Sequence, residues 1–144
     1  MIGLIAVAAL VVGIIALVRS GSNGGPTPPP PGPASPTFSP ADAANAKKEL
    51  CSTYEVAARS VSADSHGSDT ALARISLINA AGMLDAAAAN PALGASDRDA
   101  AHTLASAYRT TNAVSSVTDA SSPLFQGTLD DAKRAADAMA AICR

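Results

Sequence analysis

The hydrophobic and polar positions divide the chain into three unlike parts. Residues 1–18 carry no charged or polar side chain after the initial Met. As a helix this run measures about 27 Å, enough to cross bilayer hydrocarbon. Arg19 ends it. Residues 20–40 have no periodicity, and residues 41–144 show helical spacing in four successive blocks. The pattern predicts an all-α protein: a transmembrane anchor (1–19), a Pro/Gly/Ser-rich linker (20–40) and a small antiparallel four-helix bundle (41–144).

The first block opens on a strong start signal. Ser39 suits a cap, Pro40 the first helical position and Asp42 the first turn. Ala46, Leu50, Tyr54, Ala57, Ala58 and Val61 then recur on one face, with Cys51 at its border. Ser65-His66-Gly67-Ser68 reads as a turn. The second helix is expected over 69–90, with Leu72, Ile75, Ile78 and Ala81 as its core stripe, widened by Leu77, Leu84 and Ala88. It is the most apolar of the four and is expected to be the most buried; Asn90-Pro91 stops it.

The third helix is expected to open at Ser96 with a Ser-x-x-Asp pattern reaching Asp99. Ala101, Leu104, Tyr108 and Thr111 line its inner face, extended by Val114 and Val117. Residues 119–127 read as a loop in which Leu124 and Phe125 fold back as an apolar plug. The fourth helix is expected from Thr128, with Leu129, Ala132, Ala136, Met139 and Cys143 on one face. Leu50-Cys51-Ser52-Thr53-Tyr54 echoes Leu104-Ala105-Ser106-Ala107-Tyr108, but the match fades on both sides, as chance repeats do in an Ala/Ser-rich chain.

Composition sharpens this picture. Alanine fills 29 of the 104 positions from 41 onward, and Trp is absent. So much alanine favours helix and leaves a thin core that gains from a covalent staple. Eight of the ten prolines fall within 20–40, where an extended spacer holds the domain up to ~60 Å from a membrane. PxxP spacings arise there from proline density alone, and Thr27, Ser35, Thr37 and Ser39 are candidate O-glycan acceptors on an exported stalk. Removing Arg19 from the ten Lys/Arg leaves nine against twelve Asp/Glu, a net −3 for the domain. That balance offers no electrostatic footprint for nucleic acid or for anionic lipid.

Two readings of residues 1–18 stay open. The run is longer than a usual signal-peptide core, which favours an uncleaved anchor. Ser20-Gly21-Ser22 nevertheless supplies small residues for a cleavage site, after which the domain would be secreted. No Cys near the end of the run offers itself for lipidation. Arg19 taken alone would hold the domain inside by charge, whereas the cysteines favour an extracytoplasmic domain.

Those cysteines, Cys51 and Cys143, are the only two in the chain and the only site residues assigned. If the first and fourth helices are antiparallel neighbours, the expected end of one near Ala63 lies opposite the start of the other near Asp131. The same register brings Cys51 level with Cys143, and a disulfide is expected.

Chemistry elsewhere is sparse. His66 stands between Asp64 and Asp69, a set that would invite a divalent metal, but Asp, Ser and Gly serve turns for backbone reasons. His102 follows Asp99 by three residues, the spacing of a surface pair. Asp97/Asp99 and Asp130-Asp131 read as first-turn carboxylates, and Tyr54 and Tyr108 as core residues. No His-Glu-x-x-His, Cys-x-x-Cys, phosphate loop or Gly-x-Ser-x-Gly occurs, so no catalytic residue, metal ligand or cofactor is assigned.

The Ala-rich helices, the stalk, the stretch Pro36-Thr37-Phe38-Ser39-Pro40-Ala41-Asp42, and the pairs Leu50-Cys51 and Ile142-Cys143 resemble the Ala/Pro-rich single-pass membrane proteins of mycobacteria and related actinobacteria, whose function is unknown. The resemblance covers the whole layout and implies a cell-envelope location. It carries no catalytic residue to transfer. The chain departs from the usual anchor in having no basic residue before the span. The expected role is a non-enzymatic envelope protein: a partner-binding or scaffolding module joined to the membrane through residues 1–18. The alternative is a binder of lipid or another small apolar ligand in an Ala-lined cavity.

Overall fold

A computed structural model describes residues 37–144. The expected transmembrane helix and most of the expected linker lie outside the described residues. Within them the secondary structure is entirely helical: α1 (Pro40–Ser65), α2 (Thr70–Ala88), α3 (Ala95–Ser115) and α4 (Pro123–Ile142).

α1 begins where its start signal predicts. The Ser39 hydroxyl accepts from Asp42 N–H (3.1 Å) and donates to Asp42 Oδ2 (2.7 Å), while Ser39 N–H bonds the same carboxylate oxygen (3.1 Å). This reciprocal box satisfies amide donors that the first helical turn leaves unpaired, and Pro40 has no N–H to satisfy. Asp69 caps α2 by accepting from the amides of Ala71 and Leu72. α3 starts from Gly94 with no side-chain cap, so Ser96 is an ordinary first-turn residue and not the expected cap.

The connection from α2 to α3 is closed by Arg98. Its guanidinium donates to the carbonyls of Ala88, Asn90 and Leu93 at 3.2, 3.3 and 3.0 Å. These carbonyls lie at and just beyond the end of α2, where the helix runs out of amide donors and cations are favoured.

α4 starts five residues earlier than expected. Ser122-Pro123 repeats the Ser39-Pro40 start signal, and the helix runs through Gly127, so residues 123–127 of the expected loop are helical while 119–122 remain a turn. Leu124 therefore projects outward, 60% exposed, instead of plugging the core. Thr128 becomes a buried mid-helix residue whose hydroxyl bonds the carbonyl of Phe125. Asp131 pairs with Arg134 on the surface.

Cross-helix bonds give the topology. Ser76 on α2 reaches Asp64 on α1, and Arg74 on α2 reaches Ser116 at the C-cap of α3. Thr111 Oγ1 on α3 lies 3.1 Å from the carbonyl of Thr128 on α4, and Tyr54 Oη on α1 lies 2.9 Å from that of Ala136 on α4. In the first three pairs the end of one helix meets the start of its neighbour, or nearly so, whereas Tyr54 and Ala136 join the middles of α1 and α4. Lys47 and Asp97 join the starts of α1 and α3, which run in the same direction. The bundle is up-down-up-down.

Leu50, Leu84, Leu104 and Met139 are the large, fully buried side chains, and alanines fill much of the remainder. Ala57, Ala80, Ala81, Ala88, Ala101 and Ala105 are almost wholly enclosed. Small residues at these positions let the helix axes approach closely. Consecutive helices use this to pack along their lengths, whereas α1 and α4 have no comparable seam.

The largest departure from the expected pattern is on α2. Leu72, Ile75 and Ile78, expected to face the core, are 47%, 56% and 44% exposed. The buried face is Leu77, Ala80, Ala81, Leu84 and Ala88, with Ser76. Both stripes have helical spacing. The buried one runs on through Ala88 and alternates Leu with Ala, so α1 and α3 can both close on it. The other is bulky for two turns and then meets Gly82. Two more positions miss their expected burial: Val117 lies beyond the end of α3 and Leu129 turns outward on α4.

Candidate functional site

The closing seam between α1 and α4 is held by specific groups. The sulfurs of Cys51 and Cys143 lie 1.99 Å apart, a disulfide across 92 residues of sequence, with a Cα separation of 5.4 Å. The structure thus brings together the two site residues that sequence singles out. The register argument holds only locally. Tyr54 bonds Ala136, one turn away from the Ala140 that the cysteine register would place opposite it. Cys143 is already at the C-cap of α4, where helical rise no longer sets the spacing.

Behind this seam Tyr108 is buried. Burial, and then the neighbouring Tyr54, pushes its phenol pKa up to about 12. Tyr54 is raised as well, by burial and then by the charge of Asp137. Both rings behave as core residues with a polar edge, and neither is poised as an acid or base near neutral pH.

The main ionisable cluster joins α2 to α3. Asp85 accepts from Arg109, and its other oxygen lies 2.8 Å from His102 Nδ1. Burial pushes the Asp85 pKa upward; the bonds to Arg109 and His102 outweigh it and hold the carboxyl below its ordinary value. His102 therefore does not pair with Asp99, as its three-residue spacing suggests. It turns toward the neighbouring helix, which no within-helix rule reveals. The carboxylate is ionised and already doubly bonded, an arrangement that ties helices together.

His66 is likewise occupied by its own turn, with Nδ1 2.6 Å from the carbonyl of Ser62. Its expected companions are used elsewhere: Asp64 receives the Ser76 hydroxyl, and Asp69 caps α2. Among the described residues no group of three or more His, Cys, Asp or Glu is placed to hold a metal ion.

Three open grooves mark the surface of the described residues. One between α3 and α4 is lined by Asp99, His102, Thr103, Ser106 and Asp131 among others. A second surrounds the disulfide, with Lys47, Lys48 and Arg144 on its rim. The third runs along α2 beside Ile75 and Ile78. All are open to solvent, unlike the interior Ala-lined cavity that a small apolar ligand would need. The last belongs to the apolar face of α2, where Leu72, Ile75, Ile78 and Met83 stand exposed. Among the described residues α2 is also the one helix long and apolar enough to cross a membrane, yet here it packs against α1 and α3 with Leu77 and Leu84 buried.

Comparison with protein-family models, with curated proteins and with solved structures matches nothing to this chain.

Proposed function

We propose that this chain is a non-enzymatic, membrane-anchored envelope protein whose extracytoplasmic helical module binds a protein partner. The observation that carries the binding role is the uncovered apolar face of α2. Four large apolar side chains on one helix, each at least 36% exposed, form the kind of contiguous patch that partners cover. The location rests on different ground. A disulfide persists in oxidising compartments, and residues 1–18 have the length and composition of a span. The resemblance to actinobacterial envelope proteins agrees with both. The proline-rich stretch then serves as the spacer that lets the module reach its partner.

Two measurements test this reading. Alkaline phosphatase fused after Arg144 is expected to be active, with a fluorescent-protein fusion at the same site dark; the opposite pair overturns the location. Crosslinking in native membranes from a photoreactive residue at Ile75 is expected to yield a specific protein adduct. A turnover activity that depends on His66 or His102 would overturn the non-enzymatic reading.

A further inference from the structure

Resting on the reading that α2 binds a protein, we infer that the partner is a second copy of this chain, docked antiparallel through α2. The face is self-complementary when turned end for end. Its first half carries Leu72, Ile75 and Ile78; its second half carries Gly82, Met83 and Ala86. With Asn79 on a two-fold axis, Leu72 of one copy comes level with Ala86 of the other, seven residues to either side. Ile75 comes level with Met83, four to either side. Large residues of each copy meet small or flexible ones of the other, as an isologous interface requires.

Gly82 is the second observation. A Cβ built there would meet nothing within 4 Å, and no glycine among the described residues has positive φ. Nothing in the protomer calls for a glycine at this place, although glycine is the poorest helix former apart from proline. On the exposed face it lets a partner helix approach closely beside Ile78.

Charge along the rim agrees. Arg74 bonds Asn112 and Ser116, and Asp85 bonds His102 and Arg109, so both flank the face on its α3 side. A two-fold axis across α2 keeps that side in common. Arg74, five residues before Asn79, then comes within about one residue rise of Asp85 of the other copy, six residues after it. Among the described residues Arg74 forms no ion pair within its own chain. Antiparallel docking also opposes the two helix dipoles. A membrane surface fits less well, because interfacial helices carry several cations beside the apolar face and α2 has only Arg74.

The test uses the full-length chain in membranes of the expressing cell, with a benzophenone amino acid at Ile75 or, separately, at Leu72. Illumination is expected to give an adduct of twice the protomer mass. Peptide mapping is expected to join position 75 to the neighbourhood of Met83, and position 72 to that of Ala86. Gly82→Ala is expected to raise the melting temperature yet lower adduct yield several-fold. Gly127→Ala, at another helical glycine with nothing within 4 Å of an added Cβ, is expected to raise the melting temperature and leave the yield unchanged. An adduct with a different protein overturns the second copy while leaving the partner-binding reading standing. Adducts with lipid alone, or none, overturn both. Self-adducts joining position 75 to 75 overturn the antiparallel arrangement, and an unchanged yield in Gly82→Ala overturns the role of the glycine.

Discussion

Replacing Cys51 and Cys143 together by Ser removes the link between α1 and α4. Both residues are only partly buried, so the new hydroxyls remain within reach of water and add little desolvation cost. The effect then falls chiefly on the unfolded chain. A crosslink spanning 92 residues restricts that chain by about 4.6 kcal/mol at room temperature in the loop-entropy treatment. The folded state has little to offset the loss, because consecutive helices pack along their lengths whereas α1 and α4 do not. Against a typical total of 5–15 kcal/mol for a domain, this is a large fraction. At roughly 4–8 °C per kcal/mol near 100 residues, the melting temperature is expected to fall by roughly 18–37 °C. The assay is thermal unfolding of the oxidised protein and the double variant, followed by circular dichroism, with thiols counted under denaturing conditions without reductant. Two reactive thiols in protein from intact cells, or midpoints that coincide, would refute the reasoning.

Other consequences follow from burial and charge. Leu104→Ala, at a fully buried position, is expected to cost about 2–5 kcal/mol, whereas Ile75→Ala, on the exposed face, is expected to cost under about 1 kcal/mol in the monomer; denaturant midpoints compare them. Tyr108 should reveal itself at high pH. Its phenol ionises near 10 when unfolded and near 12 when folded, so its stabilising contribution is complete below pH 10 and is lost as pH rises toward 12. With two tyrosines in the chain, tyrosinate absorbance recorded alongside helicity is expected to show ionisation lagging until the helices unfold. Asp85 acts at the other end of the scale. Its pKa is depressed in the fold, so its contribution is present above about pH 4 and is lost as acid protonates it. Asp85→Asn is expected to be less stable than wild type at pH 7 and to lose less stability on acidification, as read from urea midpoints across the range.

Several features of the fold are legible from local chemistry. Ser39-Pro40-Asp42 specifies the start of α1 because its capping bonds lie within four residues. Alanine content and 3.6-residue spacing specify four helices, and short connections make neighbours antiparallel. The Leu104–Tyr108–Thr111 stripe on α3 is read correctly because the rest of that helix is polar, so only one face can be buried. The two cysteines could pair only with each other, and where exported domains have thin cores such pairing is the expected outcome.

Tertiary structure decided what local pattern leaves degenerate. α2 is apolar on two sides, so periodicity fits either face. The choice goes to the stripe whose alanines let α1 and α3 close on it, and that depends on the shapes of both neighbours. Asp85, His102 and Arg109 meet across two helices, 17 and 24 residues apart in sequence, a distance at which no within-helix spacing rule operates. Arg98 stabilises the end of a helix other than its own, because the turn between α2 and α3 folds those carbonyls toward it. The early start of α4 was written in Ser122-Pro123, yet Gly127 four residues later reads as a break until the rest of the helix is packed and Thr128 is drawn into the core. Sequence determines which segments become helices, since that depends on neighbours along the chain. Packing determines which face each helix buries, since that depends on neighbours in space.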